Sequence, residues 1–291
     1  MTRSPTTPAR QPLKLALFLI LSAILLPAQA KPTSKQANEK VPSLSDVPVN
    51  AKHVLVLDDS SGKVLKAKNA DSVVPIASLT KLMTAMVVLD AKPNMQETIR
   101  INSADRDTLK HSISLLPVGA QLSRQDALTL ALLSSENRAA AALARTFPGG
   151  SAAFQLAVSA KIRALGLTQT RINEATGLSP LNTSTATEVA KIAAAAARYP
   201  AIANITSDTK VTVPINGRKR EFRNTNRLVG KKGWDIHLSK TGYTDEAGRC
   251  LTMRMKSGDK HFTVVLLDAQ GSAQRLRDAT RIRASLAKLH S

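Results

Sequence analysis

The 291 residues are 43% apolar with 13 Gly and 14 Pro, which describes a folded globular chain of one or two domains and excludes a collagen-like repeat or a low-complexity tail. A single cysteine, Cys250, excludes an intramolecular disulfide framework and any multi-cysteine metal site. The excess of 41 basic over 21 acidic residues, a net +20, favours an anionic partner or surface and says nothing about the fold.

Arg3, Arg10 and Lys14 precede an apolar run of 12 residues, Leu15 to Leu26, and Ala28-Gln29-Ala30 follows as a small-x-small cleavage pattern. This is the pattern of a secretory signal ending at Ala30, because a helix needs about 20 apolar residues to cross a bilayer. Residues 31–50, rich in Pro, Ser and Lys and without apolar period, read as a mobile leader. The remainder, 51–291, is read as one domain. A secreted product is expected, periplasmic in location and with at most peripheral membrane association.

His53 to Leu57 and Val64 to Lys66 are strand candidates around the turn residues Asp58 to Lys63. Pro75-Ile76-Ala77 then leads into a helix over Ser78 to Leu89, with Ser78 or a neighbour capping its first turn. From Ser103 to about Tyr199 the pattern is Ala-rich and almost wholly helical. Helices are expected before Leu133 from a Ser123/Asp126 start, over Arg138 to Phe147, over Ser151 to Leu165, and over Val189 to Arg198 behind a Thr185/Glu188 capping box, the last ended by Pro200. Strand signals return at Lys210 to Ile215, Ile236 to Thr241, Arg249 to Met255 and His261 to Asp268, the last two joined at Ser257-Gly258-Asp259. A closing helix over Ser272 to Leu289 places Leu276, Ala279, Ile282, Leu286 and Leu289 on one face, with Arg275, Arg281 and Lys288 mostly elsewhere. The architecture read from these patterns is strands, a helical insert at about 103–200, strands and a closing helix.

Ser78-Leu79-Thr80-Lys81 places a hydroxyl and an amine three residues apart on one helix face, where a neutral lysine can take the serine proton. Four more Ser-x-x-Lys matches begin at Ser60, Ser207, Ser257 and Ser285, but only Ser78 opens an otherwise apolar helix. Ser135-Glu136-Asn137 is the one Ser-x-Asn in the chain and Lys240-Thr241-Gly242 the one Lys-Thr-Gly. The ordered series Ser-x-x-Lys, Ser-x-Asn, Lys-Thr-Gly is specific where each motif alone is not.

With this series the chain resembles the penicillin-recognising serine transpeptidase and D-alanyl-D-alanine peptidase family, from about residue 50 to the C-terminus. The stretches Pro75 to Ala85, Ser134 to Ala141, Glu174 to Ser179, Asn224 to Leu228 and Lys240 to Leu251 are similar to the low-molecular-mass DD-peptidases, above all to their D-alanyl-D-alanine endopeptidase branch, the penicillin-binding protein 7 type. The resemblance implies an α+β fold, β-lactamase/DD-peptidase-like, with an antiparallel sheet from about 50–100 and 208–291 flanked by helices and the active site between that sheet and the insert. It implies Ser78 as the acylated nucleophile, Lys81 as its general base, and Ser135 as a proton relay to the leaving amine. Asn137 would hold the substrate amide, and Lys240, with Thr241 and Gly242, would attract the substrate carboxylate while its charge keeps Lys81 neutral. Backbone N–H groups of Ser78 and Tyr243 would form the oxyanion hole.

The implied activity is hydrolysis of D-alanyl cross-links in peptidoglycan, inhibited by β-lactams, with carboxypeptidase action on pentapeptide stems as the alternative and a non-catalytic wall-binding module as the alternative of another class. The chain stops at His290-Ser291 directly after its last helix, without the β-rich domain and amphipathic anchor common among carboxypeptidases, which favours the endopeptidase. A class A β-lactamase would need a deacylating Glu-x-x-Leu-Asn. Here Leu178 stands four residues after Glu174 and Asn182 lies further on, so Glu174 reads as structural. The partners expected are peptidoglycan peptides and β-lactams. With 3% aromatics the runs Arg218-Lys219-Arg220 and Lys231-Lys232 read as solvated faces rather than a nucleic-acid site. No Gly-x-Ser-x-Gly occurs, the five histidines lack metalloprotease spacing, Cys250 reads as a core residue, and neither metal nor cofactor is expected.

Overall fold

The computed structural model describes residues 44–289. The expected secretory signal and most of the expected leader lie outside the described residues, as do His290 and Ser291. Ordered contacts begin inside the leader span: Leu44 is buried in a 3₁₀ turn, Leu44–Asp46. The Oδ2 of buried Asp278 accepts the backbone N–H groups of Asn50 and Ala51 at 2.9 and 2.8 Å.

The expected hairpin is present as β1 (His53–Asp58) and β2 (Val64–Lys68), closed by Asp58, whose carboxylate accepts the N–H of Ser60. After β3 (Val74–Pro75) a single 3₁₀ turn, Ala77–Leu79, enters α1 (Thr80–Asp90). Ser78 lies in that turn and caps nothing, which leaves its hydroxyl free for other partners. Thr80 through Val88 are all buried, so α1 is a core helix without a solvent face.

The insert is less helical than the alanine content suggests. The short pair β4 (Thr98–Arg100) and β5 (Gln121–Ser123) brackets an irregular loop, and α2 (Arg124–Leu133), α3 (Asn137–Arg145) and α4 (Gly150–Ala164) follow. A second irregular stretch leads to β6 (Thr183–Ser184), which pairs with β3, and to α5 (Ala186–Ala196), capped by Thr185 as expected. Both loops are held by side-chain carboxylates rather than by an apolar period, which is why periodicity does not report them. Pro200 does not end a helix. It opens α6 (Pro200–Ser207) from the first-turn position that suits proline.

The hairpin of β7 (Lys210–Ile215) and β8 (Arg218–Arg223) stands apart from the main sheet, its basic run exposed on a strand. The main sheet is wholly antiparallel in the order β2-β1-β11-β10-β9, from β9 (Asp235–Thr244), β10 (Gly248–Ser257) and β11 (Lys260–Ala269) with the first hairpin. Alternating residues serve two cores. Val56, Met253, Val264 and Leu266 pack on Ala279, Ile282 and Leu286 of α7 (Ser272–Lys288), while Leu55, Cys250 and Val265 face Ile76, Leu79 and Val189. A third core surrounds α1 in the helical half. Arg275, assigned by its helical position to the polar side, is buried, its Nη1 donating to the Cys250 carbonyl at 2.9 Å.

Asp278 joins the start of the domain to its last helix. Replacing Asp278 by Ala is expected to lower the unfolding free energy by about 2–4 kcal/mol, because two backbone donors lose their acceptor. Urea unfolding measures this, and a change below about 0.5 kcal/mol, no more than an ordinary surface substitution, would contradict it.

Candidate active site

The first element of the site is the strained turn before α1. Ala77 is buried at φ 46°, a left-handed conformation that an alanine adopts only when its surroundings impose it. Two glycines supply that constraint by close approach. A Cβ on Gly177, itself at φ 84°, would stand 2.0 Å from the Ala77 carbonyl oxygen, and one on Gly242 would stand 2.9 Å from the Ser78 nitrogen. The Ser78 turn is thus clamped between the 174–179 loop and edge strand β9.

Lys81, the second residue of α1, is 1% exposed, and its Nζ lies 2.7 Å from Ser78 Oγ, 2.8 Å from Asn137 Oδ1 and 2.7 Å from the Thr176 carbonyl oxygen. The last two oxygens only accept, so Lys81 donates to both. A neutral amine then has its lone pair left for the Ser78 hydroxyl. Burial pushes Lys81 down to about 7, against the pull of Glu174, Glu136 and Asp107.

Ser135 lies at φ 60° in the α2–α3 junction, and Asn137 opens α3. Lys240 on β9 is equally buried and donates to Ser135 Oγ and to the Thr241 carbonyl, both at 2.9 Å. It sits well below an ordinary lysine, chiefly through burial, with the charges of Lys81 and Arg275 acting in the same direction. Burial is the first cause at both lysines, and the repulsion between their charges disfavours ionising both.

Ser78, Ser135, Asn137, Thr241, Gly242 and Tyr243 line one cleft of about 840 Å³, with Lys81 and Lys240 beneath it. All eight residues singled out from the sequence therefore meet at one place. Several neighbours were not singled out. Ser112 accepts from Asn137 Nδ2 at 2.8 Å, the Thr176 carbonyl completes the Lys81 cage, and Thr225 bonds to Thr241 through their hydroxyls at 2.7 Å. Thr176 and Thr225 lie in stretches that carry the resemblance, whereas nothing in the sequence marks Ser112. Arg227, Arg249 and Arg275 also line the cleft.

Glu174 serves the loop. Its carboxylate accepts the N–H groups of Thr176 and Gly177, both at 2.6 Å, and the Nδ2 of Asn182 at 3.1 Å, so it is not poised to activate water. Glu136 pins the other loop by accepting from Ser114 and, at 3.4 Å, from the N–H of Leu115. Burial pushes the Cys250 thiol up to about 12, which fits a core residue rather than a nucleophile.

A family model described as D-alanyl-D-alanine carboxypeptidase matches residues 36–271. The chain belongs to this family of serine D-Ala-D-Ala peptidases. The peptidase is 47% identical over 231 residues to a D-alanyl-D-alanine endopeptidase of Pseudomonas aeruginosa, covering 79% of this chain and 74% of the relative. It is 38% identical to a D-alanyl-D-alanine endopeptidase of Escherichia coli, covering 93% and 87% of the two chains. Among solved structures, penicillin-binding protein D2 of Listeria monocytogenes in its cefotaxime-bound form superposes with a TM-score of 0.73 at 28% identity, covering 83% of this peptidase and 98% of that chain. The antiparallel α+β fold expected from the sequence is the fold of these relatives.

The glycine clamp is testable by a matched pair. Gly177→Ala and Gly217→Ala introduce the same left-handed strain, but only the first meets neighbouring atoms. Gly177→Ala is expected to slow acylation by benzylpenicillin about a hundredfold, as displacement of a reacting group does, while Gly217→Ala leaves the rate unchanged. Equal rates in the two variants would contradict the clamp.

Proposed function

We propose that this peptidase is a secreted DD-endopeptidase that hydrolyses D-alanyl cross-links in peptidoglycan through an acyl-enzyme on Ser78. The observation that carries the reading is the buried Lys81 amine, held by two acceptor-only oxygens and 2.7 Å from the Ser78 hydroxyl. Lys81 takes the hydroxyl proton as Ser78 Oγ attacks the D-Ala carbonyl, and the backbone N–H groups of Ser78 and Tyr243 stabilise the oxyanion. Ser135, receiving a hydrogen bond from Lys240, passes a proton to the departing amine. Asn137 orients both Lys81 and the substrate amide. Water then hydrolyses the ester.

Two relatives named endopeptidase support the endopeptidase reading. The cefotaxime-bound relative supports inhibition by β-lactams, which resemble acyl-D-Ala-D-Ala and would acylate Ser78. The N-terminal signal pattern and the basic charge support a periplasmic enzyme concentrated near an anionic wall, with at most peripheral membrane association. Among the described residues no helix is long and apolar enough to cross a membrane.

Incubation with purified muropeptides, followed by mass spectrometry, tests the reading. Cross-linked dimers should be converted to monomers by the active chain and left intact by Ser78→Ala. Loss of only terminal D-Ala from pentapeptides would make the enzyme a carboxypeptidase, and no change in either substrate would favour a wall-binding role.

A further inference from the structure

The cleft carries more positive charge than the proposed chemistry uses. Arg227, Arg249 and Arg275 line it, and Asp245 is its one acidic lining residue among those described. Asp245 is already engaged, accepting the Tyr243 hydroxyl at 2.5 Å. Lys110 at the rim is paired with Glu246. Neither Arg227 nor Arg249 has a carboxylate partner among the described residues.

Arg249 is nonetheless fixed in place. Its guanidinium carbon lies 3.5 Å from the centroid of the Tyr243 ring, a cation–π stack that holds the group at the cleft wall while leaving its N–H edge free for an acceptor. Arg275 is 7% exposed, and its Nε has no hydrogen-bond partner among the described residues. Burial, with the neighbouring Arg249 charge adding to it, pushes Arg275 below an ordinary arginine. Two guanidinium groups that repel each other beside a cleft, without an acid to compensate them, are relieved by a bound anion. The N-terminus of the 17-residue α7, whose cap Gly271 offers no side chain, adds Ser272 and Ala273 to the same wall.

Spacing separates this charge from the carboxylate attraction assigned to Lys240 and Thr241. Arg249 pairs in register with Tyr243, two residues along β9 from Thr241, which is about 7 Å of strand. The guanidinium is stacked over the Tyr243 ring, and among the described residues no hydrogen bond joins it to Lys240 or Thr241.

We propose that Arg249, assisted by Arg227, forms a second carboxylate-binding subsite, so that the cleft selects acidic peptides bearing one carboxylate at the Lys240-Thr241 end and another at Tyr243. The inference deepens the endopeptidase reading and rests on it for the identity of the substrate. A terminal D-Ala offers one leaving-side carboxylate, whereas a cross-linked acidic peptide offers more.

The test uses two synthetic branched peptides with an internal D-Ala bond, identical except that the second carboxylate is a carboxamide in one. Their binding to the full chain carrying Ser78→Ala is measured by calorimetry, so turnover does not interfere. The carboxylate form should bind at least about tenfold more tightly, the scale of a charged hydrogen bond. Arg249→Ala in that chain should bring the two peptides to within about twofold, and Arg249→Lys should keep part of the preference. Equal binding of the two peptides before any arginine is changed would overturn the proposal. So would a preference that survives Arg249→Ala and Arg227→Ala combined. Failure of the active chain to cut either peptide would instead overturn the endopeptidase reading and leave the binding comparison intact.

Discussion

The structure depends on keeping one lysine amine dry, uncharged and aimed at a serine. A lysine removed from water is costly to keep ionised, and in the proposed chemistry that cost is what makes Lys81 a base. Around Lys81 it places the Asn137 amide and the Thr176 carbonyl, which absorb two N–H donors and leave the third direction to Ser78. Removing either oxygen would strand a buried donor or let the amine turn away from the hydroxyl. The acidic groups Glu174, Glu136 and Asp107 work against neutrality, so burial has to outweigh them.

Much of the architecture follows from that requirement. A helix carrying a dry lysine must itself be buried, and α1 is packed among helices α2 to α6. The acceptors come from distant parts of the chain, Thr176 from one irregular loop and Asn137 from the start of α3. Irregular backbone near a core needs its polar groups satisfied, which is the work of Glu174 and Asn182 in one loop and Glu136 in the other. Edge strand β9 completes the arrangement, since Gly242 lets it pass the Ser78 nitrogen closely enough for Lys240 to reach Ser135.

Legibility in the sequence follows the reach of the forces involved. The β10–β11 hairpin, the α5 cap and the amphipathic α7 were readable because short-range patterns decide them. The two loops of the insert were not, because ion and hydrogen-bond partners far apart in sequence hold them and they leave no periodic trace. Pro200 was misread because a proline is equally at home after one helix and at the start of the next. Within the site the three motifs were visible as chemistry before they were visible as geometry. Ser112 and the Thr176 carbonyl were invisible, one an unremarked serine and the other a backbone atom that any residue could supply.

The central claim is most directly tested by titrating Lys81 itself. With ¹⁵N-labelled lysine in the full chain, and Lys81→Arg to assign its signal, the Nζ shift should change with a midpoint near 7, following burial. A midpoint near 10.5, the value of an ordinary lysine, would show the amine charged at neutral pH and would contradict its role as the base.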